Sequence, residues 1–340
     1  MIGLSESPIV VAPMGGGPST PNLVVAAANA GALAFLAAGY KTPAEVESQL
    51  REVRGRTDAP FGVNLFVPGA PTANSSRVAD YARELEPEAA RLGVELGTPV
   101  WEDDHWSAKV EVLLEASPAV CSFTFGCPDP SIVDAMKQRG IVVMVTVTNV
   151  EEAEHAIAAG ADALCAQGIE AGAHRGAFVD EADDPQLRTI DLVRALRSRT
   201  SIPLVATGGI ALPDEVSAAL AVGAGAVQAG TAFLRCDESG ASALHKAALV
   251  DPAFESTALT RAFTGRRARG LLNRFIKDHA DAPTAYPEIH HLTRPLRAAA
   301  VQQADTESAH LWAGTGHRHA RTGSAATIID WLAGGGQLSL

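Results

Sequence analysis

The sequence predicts an α/β protein built on a TIM barrel, a closed ring of eight parallel strands surrounded by helices. Short apolar runs alternate with longer amphipathic segments along most of the chain. The runs are continuously apolar, as expected for strands that are buried on both faces. There are eight of them, the number that closes such a barrel. The alternative is an open doubly wound sheet, but the first strand lacks the GxGxxG pattern and the acidic residue of a dinucleotide site.

Turn and cap signals separate the predicted elements. Gly31 follows the first helix, and Thr42 is placed to cap the second. The predicted strands are residues 9–12, 33–36, 61–66, 120–125, 142–147, 163–166, 203–206 and 226–229. The predicted helices are residues 21–30, 43–54, 75–92, 104–115, 129–139, 151–159, 185–199, 213–222, 241–249 and 325–332.

The segment after the eighth helix fits no further strand–helix unit. We therefore predict a barrel over residues 1–250 and an excursion over residues 251–306 that covers the mouth of the barrel. Residues 307–340 are predicted to pack back on the barrel as a C-terminal segment.

Composition and charge exclude several classes of function. The formal net charge is −12 and no long basic run occurs, which argues against a nucleic-acid partner. No apolar run is long enough to span a membrane, and the N-terminus lacks the pattern of a signal peptide, so we expect a cytoplasmic protein. The four cysteines are scattered without metal-ligand spacing, so no metal site is expected.

The loops after the strands carry the residues that are candidates for binding, because barrel active sites lie at the carboxyl ends of the strands. Glycines after the seventh and eighth strands are typical of a phosphate site near a helix N-terminus. The neutral polar groups elsewhere in these loops suit the edge of a flavin ring, so FMN is the predicted cofactor. The predicted contacts from these loops are Pro13, Met14, Gly15, Asn64, Thr124, Gln167, Gly208, Gly209, Gln228, Ala229, Gly230 and Thr231.

The loop after the sixth strand, residues 167–176, holds the candidate catalytic residue. His174 stands there among three glycines, a good position for proton transfer or for electrostatic work. Glu170 either ionises near the site or forms a structural ion pair with Arg175. The acidic run at residues 180–184 is interpreted as a solvated loop, and the pair His290 and His291 as solvated or excursion residues.

These motifs together resemble the nitronate monooxygenases, formerly called 2-nitropropane dioxygenases. The matching segments are APMGGG at residues 12–17, GVNLF at 62–66, QGIEAGAHRG at 167–176, TGGI at 207–210, QAGT at 228–231, YP at 286–287 and LWAGTG at 311–316. The resemblance implies a TIM barrel that holds FMN non-covalently, with Gly172 as a further FMN contact and His174 as the active-site histidine. Ala173 departs from the pattern, because many members have glycine there.

The implied reaction is the oxidation of an alkyl nitronate by O₂ to a carbonyl compound and nitrite. His174 would act either as an imidazolium that binds the anion or as a base that removes the α-proton of a nitroalkane. Similar barrels act as NAD(P)H:quinone reductases or enoyl-acyl-carrier-protein reductases, and these remain alternatives. A flavin-free phosphate-binding isomerase or synthase is a second alternative. Assembly into a homo-oligomer is left open.

Overall fold

A computed structural model describes residues 4–72, 75–180 and 184–335. Eight parallel strands close into a barrel in the order β1-β2-β3-β4-β5-β6-β8-β9, so the predicted TIM barrel is confirmed. These strands are β1 (Ile9–Val11), β2 (Leu33–Ala37), β3 (Gly62–Phe66), β4 (Val120–Thr124), β5 (Val142–Val147), β6 (Ala163–Gln167), β8 (Leu204–Thr207) and β9 (Ala226–Ala229). A two-residue strand, β7 (Ala173–His174), lies outside the barrel.

Helices surround the strands. Thr42 caps the second helix as predicted, because its hydroxyl accepts from the Glu45 N–H and the Glu45 carboxylate accepts from the Thr42 N–H. The helices are α1 (Pro21–Asn29), α2 (Pro43–Arg54), α3 (Ser75–Leu92), α4 (Trp106–Ala116), α5 (Pro130–Lys137), α6 (Val150–Ala158), α7 (Thr189–Arg197), α8 (Pro213–Ala221), α9 (Ala243–Ala248), α10 (Arg274–Asp278), α11 (Glu288–Gln302) and α12 (Ala325–Leu332). None of the described helices is long and apolar enough to cross a membrane.

Four predicted helices begin later than expected, and backbone geometry explains two of them, α4 and α7. Helix α4 starts at Trp106 because Asp104 and His105 take left-handed φ angles of 54° and 55°. Helix α7 starts at Thr189 rather than at residue 185, because Gln186 takes a left-handed φ angle of 49°.

The barrel interior is filled by alternate side chains of the strands. Because side chains alternate across a strand, residues such as Ile9 and Val11 pack outward on the helices while Val10 points inward. The inward-facing set forms a separate apolar cluster, here called the apolar plug. Its buried members are Val10, Leu33, Phe35, Val120, Met144, Ala163, Cys165, Val205 and Ala226.

A three-stranded sheet lies beyond the barrel, in the order β10-β11-β7. Strands β10 (Thr257–Thr260) and β11 (Ala268–Leu271) form an antiparallel hairpin, and β11 also pairs with β7, with Ala268 opposite His174. The segment predicted as an excursion is thus joined directly to the loop after β6. The bounds 1–250, 251–306 and 307–340 stay predictions, and residues 1–3 and 336–340 lie outside the described part of the chain.

Candidate active site

A cavity of about 590 Å³ lies at the carboxyl ends of the barrel strands. Its floor is polar, because inward-facing positions of six barrel strands, nearer the carboxyl ends than the apolar plug, carry amide and hydroxyl side chains. These floor residues are Asn64, Thr124, Thr146, Gln167, Thr207 and Gln228. A second, open depression of about 990 Å³ lies at the opposite end of the barrel, beside Leu4 and Pro60.

The structure brings every predicted contact residue and His174 into the wall of the first cavity. The predicted contacts found there are Pro13, Met14, Gly15, Asn64, Thr124, Gln167, Gly172, Gly208, Gly209, Gln228, Ala229, Gly230 and Thr231. Their roles as cofactor contacts stay predictions.

Two amides of the floor are already engaged by the protein. Asn64 Nδ2 donates to Ser122 Oγ at 2.9 Å and to Thr124 Oγ1 at 3.0 Å. Gln167 Nε2 donates to the His174 carbonyl at 3.1 Å, and its Oε1 accepts from the Gly176 N–H at 2.7 Å. Gln167 therefore holds the loop that carries His174 through hydrogen bonds to two of its backbone groups. Its position in the sequence did not indicate this role.

Gln228 differs from these amides because part of it is unsatisfied. Its Nε2 donates to Cys165 Sγ at 3.3 Å, whereas its buried Oε1 has no hydrogen-bond partner among the described residues. A buried acceptor without a donor is costly, about 1–3 kcal/mol. The atom is thus suited to accept an N–H from a bound ring.

The loops after β8 and β9 form the other end of the cavity. Gly208 and Gly209 have φ angles of +121° and +71°, which favour glycine, and a Cβ on Gly209 would lie 2.7 Å from Glu170 Cβ. Within the described chain, no hydrogen bond occupies the peptide N–H groups of Gly209, Gly230 or Thr231. Thr231 Oγ1 accepts from the Gly314 N–H at 3.0 Å, so its own hydrogen remains available. These donors fit a phosphate.

The short strand β7 sets His174 into the cavity wall. The Arg175 N–H donates to the Arg267 carbonyl at 2.8 Å, which extends the pairing of β7 with β11. His174 Nε2 lies 2.9 Å from Thr264 Oγ1. Aromatic rings surround the imidazole, with centroids 5.5 to 6.5 Å away. They belong to Phe66, Phe125, Tyr286 and Trp312.

The surroundings of His174 favour its neutral form. Burial, together with the positive charges of Arg266 and Arg297, lowers the pKa of His174 to about 3, against a smaller opposing effect of Asp180. Neither arginine has a carboxylate within 4.0 Å among the described residues. Arg266 lies over the Phe125 ring at 4.0 Å, and Arg297 lines the cavity. The site is therefore electropositive around an uncharged imidazole.

Comparison with known proteins identifies the family. The sequence profile described as nitronate monooxygenase matches residues 1–334. The chain belongs to the nitronate monooxygenase family. It is 42% identical over 338 residues to the nitronate monooxygenase of Pseudomonas aeruginosa, covering 96% of this chain and 95% of that protein. It is 38% identical over 331 residues to a probable nitronate monooxygenase of Staphylococcus aureus, with 96% and 93% covered.

Solved structures agree with this family. The nitroalkane oxidase from Streptomyces ansochromogenes is 47% identical, with a TM-score of 0.95 over 97% of this chain and 96% of that one. FabK from Thermotoga maritima is 26% identical, with a TM-score of 0.76 over 97% of this chain and 93% of that one. The resemblance to the nitronate monooxygenase family predicted from the motifs is therefore confirmed.

The interpretation of the acidic run at residues 180–184 as solvated is wrong for Asp180 and Asp184, its two described members. Asp180 receives hydrogen bonds from the side chains of Arg261 and Arg267 at 2.6 to 3.2 Å, and Asp184 is paired with Arg175 at 2.7 Å. Both carboxylates are buried by these contacts. They tie the segment after His174 to the hairpin. Residues 181–183 lie outside the described part.

One of the two interpretations of Glu170, an ion pair with Arg175, is wrong. Its carboxylate pairs with Arg188 at 3.0 Å and accepts from the Thr189 N–H at 3.0 Å, so it caps α7 instead of pairing with Arg175. Glu170 does not line the cavity.

His290 was interpreted as a solvated or excursion residue, and the solvated alternative is wrong. The ring is buried and stacks on Tyr40, with centroids 4.1 Å apart and planes 3° apart. Tyr286 donates to the Tyr40 hydroxyl at 3.1 Å, and Arg297 donates to the His290 carbonyl at 2.8 Å. These residues form a polar wall opposite the loops after β8 and β9. Only the Tyr286-Pro287 motif indicated this wall in the sequence.

Ala173 takes a left-handed φ of +60°, directly before His174. Most side chains avoid this conformation, at a cost of about 1–2 kcal/mol. The departure from glycine noted in the sequence therefore costs stability at the residue that precedes His174, and Ala173 also lines the cavity.

Proposed function

We propose that this protein oxidises alkyl nitronates with O₂ to carbonyl compounds and nitrite, using non-covalent FMN. One observation carries the proposal. A single cavity holds free peptide N–H groups, the unpaired acceptor Gln228 Oε1, a neutral imidazole and a buried arginine that lacks a carboxylate. The family of the chain supports the same reaction.

The residues of the floor and of the β8 and β9 loops fit FMN. Gln228 Oε1 would accept a ring N–H, and the N–H groups of Gly209, Gly230 and Thr231 would hold the phosphate. When bound, FMN supplies the transfer of electrons from the substrate to O₂. The protein contributes the position of the substrate and the charges around it.

A nitronate is an anion, and the positive charge that attracts it comes from arginine. Arg297 is about nine-tenths buried, and its Nη1 makes no hydrogen bond with any described residue. A guanidinium in a low-dielectric wall attracts an anion strongly. His174, with its lowered pKa, is neutral near pH 7 and keeps a ring lone pair available for a substrate proton, while the same lowered pKa weakens it as a base. The alternative in which His174 binds the anion as an imidazolium is not supported in the free protein, because the lowered pKa keeps His174 uncharged.

The remaining parts of the proposal come from the sequence. They are a cytoplasmic location and two small-molecule partners, namely the alkyl nitronate and O₂. Cell fractionation tests the location.

The proposal is tested on the purified protein. We expect a yellow protein that releases FMN on denaturation, consumes O₂ and forms nitrite when a preformed nitronate is added. NADH oxidation with a quinone is measured beside it. A colourless protein that takes up no FMN would overturn the cofactor, and turnover of NADH without turnover of nitronate would overturn the substrate.

A further inference from the structure

The hydroxyl of Thr264 is held between the active-site histidine and a backbone carbonyl. Thr264 is buried, with 1% of its surface exposed. Its Oγ1 lies 2.9 Å from His174 Nε2 and 3.1 Å from the Arg266 carbonyl oxygen, to which it donates. The Arg266 N–H also donates to Thr264 Oγ1, at 3.4 Å. Thr264 is 90 residues from His174 in the chain, and the pairing of β11 with β7 brings the two together.

A count of hydrogens decides the direction of the bond to His174. A threonine hydroxyl has one hydrogen and two lone pairs. The hydrogen is used by the Arg266 carbonyl, which receives no other hydrogen bond from the described residues. Turning the hydroxyl toward His174 would leave that buried carbonyl without a donor, at a cost of about 1–3 kcal/mol. Thr264 Oγ1 must therefore accept, and His174 Nε2 must carry the hydrogen.

We infer that Thr264 is a positioning residue that fixes neutral His174 as the Nε2–H tautomer and leaves Nδ1 as its basic atom. Nδ1 makes no hydrogen bond with any described residue, and His174 lines the cavity. The assignment of Nδ1 as the atom that removes the α-proton of a nitroalkane rests on the proposed function. The assignment of the tautomer does not.

The tautomer is measured by two-bond ¹H–¹⁵N correlation spectra of the flavin-loaded protein labelled in histidine. A His174→Asn spectrum identifies the His174 signals. We expect the wild type and Thr264→Ser to show a protonated Nε2 and an unprotonated Nδ1. Thr264→Val has nearly the same shape without the hydroxyl, and we expect it to populate both tautomers. A protonated Nδ1 in the wild type would overturn the inference.

Kinetics test what the tautomer does. With a neutral nitroalkane, Thr264→Val should lose at least about twofold in kcat/KM, because part of the enzyme then holds its lone pair on the wrong nitrogen. With preformed nitronate, which needs no proton removal, the kcat/KM of Thr264→Val should stay within about twofold of the wild-type value. Thr264→Ser should restore the nitroalkane value. An equal loss with both substrates, or no rescue by serine, would overturn the positioning role. Absence of all nitronate turnover with the expected spectra would instead refute the proposed function.

Discussion

The pH dependence of stability tests whether His174 is neutral in the folded protein. Its pKa is about 3 when folded and 6.5 in ordinary surroundings. The unfolded chain therefore binds a proton that the folded protein excludes, and stability is lost as the pH falls from 6.5 toward 3. At about pH 5 the loss is about 2 kcal/mol relative to about pH 7.5, because RT ln(1 + 10^(6.5 − pH)) reaches about 2 kcal/mol there.

Urea denaturation of the wild type and of His174→Asn at the two pH values isolates this contribution, since the other histidines are common to both proteins. FMN is kept at the same excess throughout. We expect the free-energy difference between wild type and variant to change by about 2 kcal/mol in favour of the variant at the lower pH. His105 is exposed, and His105→Asn is the matched control for the same substitution at a surface position. A difference for His174→Asn that does not change with pH would refute the neutral imidazole.

Three further predictions concern single side chains. Ala173→Gly relieves a φ of +60° and should raise the free energy of unfolding by up to about 1 kcal/mol in urea denaturation; a decrease would contradict the strain. Asp180→Asn removes the carboxylate that Arg261 and Arg267 share and should lower that free energy by about 3 kcal/mol, whereas Glu154→Gln, in an exposed pair, should change it by less than about 1 kcal/mol. Equal effects of these two variants would show that the Asp180 network is unimportant. Gln228→Leu should raise the Kd for FMN about fivefold in a fluorescence titration, and an unchanged Kd would show that Gln228 does not help to bind FMN.

The barrel and the floor of its cavity were predictable because they follow local rules. Strands buried on both faces are apolar runs, and the inward-facing positions at their carboxyl ends are two residues beyond buried ones. Asn64, Gln167 and Gln228 could therefore be found without the structure, and so could Gly208 and Gly209 after β8 and Gly230 after β9.

The wall opposite the glycine loops could not be found in this way, because it depends on contacts between distant parts of the chain. His174 meets Thr264 only through the pairing of a two-residue strand with β11. Asp180 has the composition of a solvated loop, and its burial depends on arginines 81 and 87 residues away. His290 is stacked on Tyr40, which lies at the end of the second barrel strand. No local sequence pattern predicts such contacts between distant residues.

Anaerobic mixing of the flavin-loaded protein with a preformed nitronate tests the central claim most directly. We predict that the flavin absorbance changes on mixing, returns when air is admitted, and is followed by nitrite formation, because the proposed reaction transfers electrons from the nitronate to O₂ by way of FMN. An absorbance that is unaffected by nitronate but is bleached by NADH would contradict the account and would make this chain a reductase on the same barrel.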